Sequence, residues 1–488
     1  MRTQGSHGLG WWPLAYFLLA QVPFLLQPVS RTHKWRQADT AAVTRNLAWE
    51  SGDIRLPRID ARGDLTGVTG MEFPLFQAAA AIPMRILGSD ADAIGKGAAL
   101  ASLVVGWLAL VALMVRRFGL DPLAAHASLA VSPFLFLYGS RFMPESFAWM
   151  CGMVALERFD AWLSHRGAWR LVLACAAMSA AMLVRPFVAF LGLPLAVGAV
   201  VLARRRPWSA AAVAAGGALA LLPFALWYFW WVPQLARDFG PLPSGVPGRD
   251  YLFMGSPIRE NLAAMASPGF WAVLAKVICQ EYVSWQLLPL ALLGGVALWQ
   301  TGRGRPDRWL WLTVTIGIPA ITLPVLLLLT GRHFSPHDYY LAALMPPVAL
   351  GNAAGFDVLR RRWPRSAPWV VALAVIALPL TLFHHYRPDP DLDRYRNVVP
   401  LVAASVPSGD LVLVEDLGGF AWHLHPLRRR GWIERRPRLE DAVHVADLAR
   451  RGCRWVVWLD GSEYRLSAVE EWLQRVRARP AAPPFDPP

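Results

Sequence analysis

Residues 93–117 read AIGKGAALASLVVGWLALVALMVRR. After Lys96 the run is uncharged until Arg116 and Arg117 close it. About 20 apolar residues are needed for a helix to cross the hydrocarbon of a bilayer. A helix apolar on every side has no face to offer water. Paired arginines at the end of such a run mark the side on which it stops.

Outward from this run, further apolar stretches lie at 9–29, 121–140, 144–162, 169–184, 187–203, 208–231, 283–301, 309–330, 338–357 and 367–385. With 93–115 they give about eleven expected transmembrane helices, so the fold class read from sequence is a polytopic α-helical membrane protein. The composition agrees: 55% of the 488 residues are hydrophobic and 17% charged, against about a quarter charged in an average soluble protein. The 9–29 run could be a secretory leader, but no small-residue cleavage site follows, since the next residues are Ser30, Arg31, Thr32 and His33. It is read as an uncleaved first span. Phe73–Leu87 is apolar but short and holds Pro74 and Pro83, so it is expected to be an interfacial helix.

Lys and Arg number 48 against 34 Asp and Glu, a net charge of +14. Such a surplus can signal nucleic acid, but its placement argues otherwise. Arg116-Arg117, Arg158/Arg166/Arg170, Arg204-Arg205-Arg206, Arg303/Arg305/Arg308 and Arg360-Arg361-Arg362 with Arg365 all surround loops that follow even-numbered spans. One side collects them all, and the positive-inside rule makes it cytoplasmic. The N-terminus is then inside. The first loop 30–92, the loop near 141–145, the segment 232–282, the loop 331–337 and the tail from 387 are outside. No nucleic-acid partner is expected. Cys151, Cys175, Cys279 and Cys453 show no disulfide or metal spacing.

The tail differs in kind. Leu411–Val414 and Trp455–Trp458 read as strands and Leu439–Arg451 as a helix. The domain reading is a transmembrane unit over 1–386 and a small C-terminal α/β outer domain over 387–488, with a Pro-rich, disordered end.

The polar residues concentrate on the outer face. The first loop holds His33-Lys34-Trp35-Arg36-Gln37-Ala38-Asp39-Thr40, and residues 35–49 have the spacing of a helix lying on the membrane surface. Asp39 there is either a base with a raised pKa or half of an Arg36–Asp39 surface pair. Glu72, in Gly70-Met71-Glu72-Phe73-Pro74, is either functional or a charge at a helix N-terminus. Arg141 and Glu145 sit at the ends of two spans, where charges must be paired or wet. Arg185 adds a third outer-end arginine, and Arg332, His333, His337, Asp338 and Tyr339 form a patch at the tenth span. A divalent metal held by His337 and Asp338 with Glu72 or Asp39 is compatible with these residue types, as is simple helix capping by Asp338. Carboxylates that take a proton from a hydroxyl, and cations that stabilise a departing phosphate, are the set that chemistry on a phosphate-linked sugar requires.

The segments Trp35-Arg36-Gln37-Ala38-Asp39-Thr40-Ala41, Glu72-Phe73-Pro74-Leu75 and His337-Asp338-Tyr339-Tyr340, with Arg141…Glu145 after the third span, resemble the superfamily C membrane glycosyltransferases. That group contains the protein O-mannosyltransferases and the lipid A aminoarabinose transferases, and the likeness is to their bacterial relatives. It covers about residues 9–385, and Arg430-Gly431-Trp432 in the tail also resembles a piece of such relatives. The resemblance implies an inverting transfer of a sugar from a polyprenyl-phosphate donor to a glycan, lipid or protein acceptor, on the outer face of a bacterial cytoplasmic membrane. Asp39 matches the catalytic acidic residue, Glu145 the second one beside Arg141, and Glu72 the acidic residue of a Glu-Lys-Pro-Pro motif. Phe73 and Leu75 depart from that motif, so the expected phosphate-contacting lysine is missing. Arg36, Arg141, Arg185, Arg332, His337 and Tyr339 remain as substrate-binding candidates. Two other classes fit the sequence: a flippase for polyprenyl-linked sugars, which expects ionisable groups near mid-membrane, and an assembly factor that binds through its outer tail.

Overall fold

The computed structural model describes residues 10–29, 33–165, 167–204, 206–240, 258–282, 284–302, 309–310, 313–331, 335–382, 387, 389–416 and 420–478. Helices α1 (Trp12–Leu26), α2 (Lys34–Trp49), α3 (Leu75–Leu87), α4 (Asp92–Phe118), α5 (Pro122–Ala130), α6 (Pro133–Tyr138), α7 (Glu145–His165) and α8 (Ala168–Val184) come first. Among the described residues, four helices are long and apolar enough to cross a membrane alone: α4, Pro186–Ala203, Pro207–Phe239 and Tyr339–Arg362. A fifth is counted if Ile258–Met265 and Pro268–Gln280, bent by 87° at their junction, form one broken span.

The expected eleven is therefore not what the helix lengths return, and the reason is local. The run 121–140 breaks after Ala130, where Ser132 caps α6 by accepting from Leu135 N at 3.2 Å. Pro133 then opens the new helix, having no N–H to offer an older one. Other runs survive as apolar helices of 12–17 residues, such as α1, α8, Leu288–Gly302 and Ala367–Leu378. The segment 232–282, expected as an outer connection, holds the bent helix pair instead. Outward faces are apolar: Val200, Leu219 and Leu373 are each about 70% exposed. Surfaces of this kind are stable against lipid, not water.

The two first-loop helices form where expected, but α2 is not a surface helix. Eleven of its residues are buried, on nearly every side. Small residues Ala38, Ala41 and Ala42 let neighbours approach, and Arg85 of α3 donates to Ala48 O at 2.9 Å and to Leu47 O, satisfying carbonyls at the end of α2. Helix α3 is amphipathic: Phe76, Ala80 and Met84 are buried while Ile82, Ile86 and Leu87 are exposed, the pattern of an interfacial helix.

The tail forms a four-stranded sheet in the order β2-β1-β3-β4. β1 (Leu411–Glu415) runs parallel to β2 (Gly431–Glu434) and to β3 (Cys453–Asp460), and β4 (Glu463–Ala468) returns antiparallel to β3. The two expected strands and the helix (Ala442–Arg450) are present; β2, β4 and the helix Val469–Arg477 carried no readable periodicity at their length. The tail and first loop share one apolar core, in which Val29, Ala41, Met71 and Phe76 meet Tyr395, Val398, Trp422 and Leu424. Arg430-Gly431-Trp432 lies at their seam. Gly431 N donates to Asp60 O at 3.1 Å, and Gly63 N to Gly431 O at 2.8 Å. A Cβ on Gly431 would stand 1.8 Å from Val412 O, a contact only backbone displacement relieves. Gly431→Ala is expected to destabilise the protein by about 1–3 kcal/mol, seen as a lower melting temperature of the purified protein in detergent.

Candidate active site

The site is set by how the chain leaves α1. Lys96 of α4 donates to Phe24 O (3.0 Å), Gln27 O (2.6 Å) and Pro28 O (3.2 Å), closing the open carbonyl end of α1. Asp92 accepts from Val29 N at 2.8 Å. With the exit fixed, His33 takes a left-handed conformation (φ 51°) and starts α2. The turn before α7 docks on α2, where Gln37 Oε1 accepts from Phe142 N at 3.2 Å.

Four side chains from four segments then meet in the interior. Arg36 of α2 pairs with Glu72, Arg185 at the end of α8 pairs with Glu145 at the start of α7, and Arg185 Nη1 lies 3.8 Å from Glu72 Oε2. All four are under a tenth exposed. Buried charges are costly unless paired, and here two arginines balance two glutamates. Burial works against ionisation of Glu72, but Arg36 and Arg185 outweigh it and hold its pKa at about 2. Glu72 is thus an anion gripped by two arginines, rather than a charge serving the α3 dipole. Its segment is pinned from both flanks. Phe73 N donates to Leu183 O at 3.1 Å, and Trp227 Nε1 to Met71 O at 2.9 Å. The Phe73 ring packs edge-on against Trp227, centroids 4.8 Å apart. At the position where the resemblance leads one to expect lysine, the chain places an aromatic anchor. Trp227 itself sits on a π-helical turn, Leu226–Trp231, a distortion frequent at functional sites.

Asp39 lies beside this cluster but outside its pairing. Arg36, the expected i,i+3 partner, is taken by Glu72, and the buried Asp39 Oδ1 makes no hydrogen bond among the described residues. Burial pushes the Asp39 pKa up to about 7, with Asp60 and Glu72 adding to the rise and Arg36 opposing it. A carboxyl that changes protonation near neutrality beside fixed charges can accept a proton from a hydroxyl.

An aromatic wall completes the surroundings. Tyr339 lies under the Arg185 guanidinium, 5.4 Å from ring centroid to Cζ. His337 Nδ1 and Tyr339 OH are 2.7 Å apart, and Trp35 packs edge-on to His337 at 5.7 Å. His33 Nε2 is 2.9 Å from Tyr138 OH. An apolar cavity of about 600 Å³ opens between α8 and the next helices, walled by Met178, Met182, Phe190, Leu193, Leu221 and Ile321.

The structure therefore brings Arg36, Asp39, Glu72, Glu145, Arg185, Tyr339 and His337 together. Arg141 is also buried, its Nε donating to Leu137 O at 3.1 Å and its guanidinium stacked 5.0 Å over Phe24. Arg332 and His333 lie outside the described residues. Among the described residues, no group of three or more His, Cys, Asp or Glu could hold a metal ion. Sequence reasoning missed Asp60, bound by Arg45 and by Asn46 Nδ2 at 3.2 Å, because it lies in the irregular loop after α2, where no periodicity points it back at that helix. It also missed His33, whose spacing carried no signal.

No family model matches the sequence, and no curated protein does either. Solved structures do match in fold. ArnT from Cupriavidus metallidurans bound to undecaprenyl phosphate has a TM-score of 0.64 over 95% of this chain and 98% of that one, at 14% identity. The same protein in the apo state gives 0.59 over 86% and 85%, at 15% identity. The apo oligosaccharyltransferase of Archaeoglobus fulgidus gives 0.53 over 93% and 70%, at 13% identity. The chain thus shares the fold of these proteins.

A pKa raised above the unfolded value means that ionised Asp39 destabilises the fold. That cost is absent below about pH 4 and complete above about pH 7. Asp39→Asn is expected to raise the melting temperature by a few degrees at pH 8 and by less at pH 5. Glu72→Gln, which leaves two buried arginines short of an anion, is expected to lower stability at both, by about 3–5 kcal/mol.

Proposed function

We propose that the chain is an inverting glycosyltransferase of a bacterial cytoplasmic membrane, moving a sugar from a polyprenyl-phosphate donor to an acceptor hydroxyl on the periplasmic face. The observation that carries the reading is Asp39: a carboxyl poised near neutrality, with no ion pair among the described residues, next to a charge-balanced arginine–glutamate cluster. The fold likeness to ArnT bound to undecaprenyl phosphate supports the donor class. The orientation read from the arginines supports the side.

In this reading the acceptor O–H gives its proton to Asp39 as its oxygen attacks the anomeric carbon. The bond from that carbon to the phosphate oxygen breaks in the same displacement, and its electron pair leaves with the polyprenyl phosphate. One displacement inverts the anomeric centre. Arg141 and Arg185 supply the positive field for the leaving phosphate, in place of the lysine that Phe73 replaces. Glu145 orients Arg185, and Glu72 engages Arg36, which leaves Asp39 without an ion pair among the described residues. The apolar cavity beside α8 suits a polyprenyl chain. The acceptor is a glycan, lipid or protein of the cell envelope. The buried ionisable groups of the cluster lie at helix ends and in the first loop, which favours an enzyme over a flippase.

The test is transfer by purified protein in lipid, with a panel of radiolabelled polyprenyl-phosphate sugars and membrane extract as acceptor. Label should pass to an acceptor with the wild type and fall by at least 10²-fold with Asp39→Asn. Because the base acts ionised, the rate should rise with pH to a plateau above about 7. A wild-type rate retained by Asp39→Asn would remove Asp39 from the mechanism, and a covalent glycosyl-enzyme would rule out the single displacement.

A further inference from the structure

The tail grips α2 at two places. Near its start, Lys34 pairs with Asp391, lies 3.9 Å from Asp389 and sits 4.2 Å over the ring of Trp422. Trp422 Nε1 in turn donates to Val29 O at 3.2 Å. Three turns later, Arg45 Nη1 meets His425 Nδ1 at 3.2 Å while its other terminal nitrogen pairs with Asp60. A guanidinium only donates, so His425 Nδ1 is the acceptor and its proton sits on Nε2. That nitrogen faces Asp92 Oδ2 at 3.2 Å. Arg428 of the tail donates to Asp92 Oδ1 at 2.7 Å. His425 therefore connects α2 to the first turn of α4, which already fixes the exit of α1. It is 3% exposed.

Helix geometry gives this grip a consequence. At about 100° per residue, Lys34 and Arg45 are about 20° apart around α2 and share one face. Arg36 and Asp39 point about 140–200° away from Lys34, toward Glu72 and the ion-pair cluster. A hold on the first face fixes the rotation and axial position of the second. A misplacement of about 1 Å in a reacting group can cost on the order of 10²-fold in rate.

We infer that the C-terminal tail is the element that positions Asp39, with His425 as its principal positioning residue and Lys34 as the second anchor. This rests on the reading of Asp39 as the base. It makes the tail part of the catalytic frame rather than a separate acceptor-binding appendage.

The experiment uses the full chain in lipid nanodiscs. It measures transfer kinetics per folded molecule and hydrogen exchange of α2 amides. The variants are His425→Phe, which keeps the volume and loses both polar contacts, and His425→Gln, which restores a donor toward Asp92. Lys34→Met loosens the other anchor should His425→Phe fail to fold. Expected is a kcat lower by about 10- to 100-fold with the donor KM within about twofold, faster exchange across residues 36–44, and recovery of both in His425→Gln. Unchanged kcat and unchanged exchange in the folded His425→Phe and Lys34→Met proteins overturn the inference. So does a stability loss with kcat per folded molecule intact. If the wild type transfers no sugar, the functional reading fails separately, and exchange alone decides: faster exchange confined to α2 supports the grip, and unaltered protection sinks it.

Discussion

Glu72 cannot be buried as an anion without its two arginines, and each arginine is buried beside a carboxylate, Arg36 beside Glu72 and Arg185 between Glu145 and Glu72. This mutual dependence ties together α2 through Arg36, the first-loop turn through Glu72, the end of α8 through Arg185 and the start of α7 through Glu145. Removing charges from water costs several kcal/mol per ion even after relaxation, so the segments must arrive together or not at all. An apolar core of the same shape would have been simpler to stabilise. Retaining a charged one makes sense where a field is needed at an exact place.

That field explains why Asp39 behaves unlike its neighbours. Arg36 is close enough to draw the Asp39 pKa down, yet it pairs with Glu72. The other two nearby carboxylates, Asp60 and Glu72, are paired with arginines and repel a further negative charge. Burial adds the largest push. The result is a carboxyl with no ion pair among the described residues, beside carboxylates that have one, a local instability that the rest of the fold supports.

The pairing was only partly legible in the sequence. Local features read well: the helix over 35–49, the helix after Pro74, two tail strands and the gathering of Asp39, Glu72, Glu145 and Arg185. Each rests on periodicity or on the position of a charge at the end of an apolar run. What did not read well depends on contacts between distant segments. Arg36 and Asp39 look like an i,i+3 pair until Glu72 arrives from 36 residues away. The burial of α2 could not be seen because the tail that covers it lies more than 300 residues later. The count of eleven spans is not confirmed, and one expected span is interrupted where a Ser-Pro step, Ser132-Pro133, cuts an apolar run without altering its hydropathy.

The tail shows the same lesson from the other side. As a strand-and-helix sequence after the last apolar run, it reads as an appendage. Its sheet does have its own apolar side, where Leu413, Trp432, Val456 and Trp472 pack. But the opposite side is completed by the first loop, through Val412, Val414 and Val457 against Ala41, Met71 and Phe76. A first loop rich in polar groups has too little apolar surface to order α2 and α3 on its own, and loops that bear chemistry need a rigid support. The sheet supplies that support from above while α4, α7 and α8 supply it from below. Asp39 sits on a helix whose apolar core is shared by the first loop and the tail.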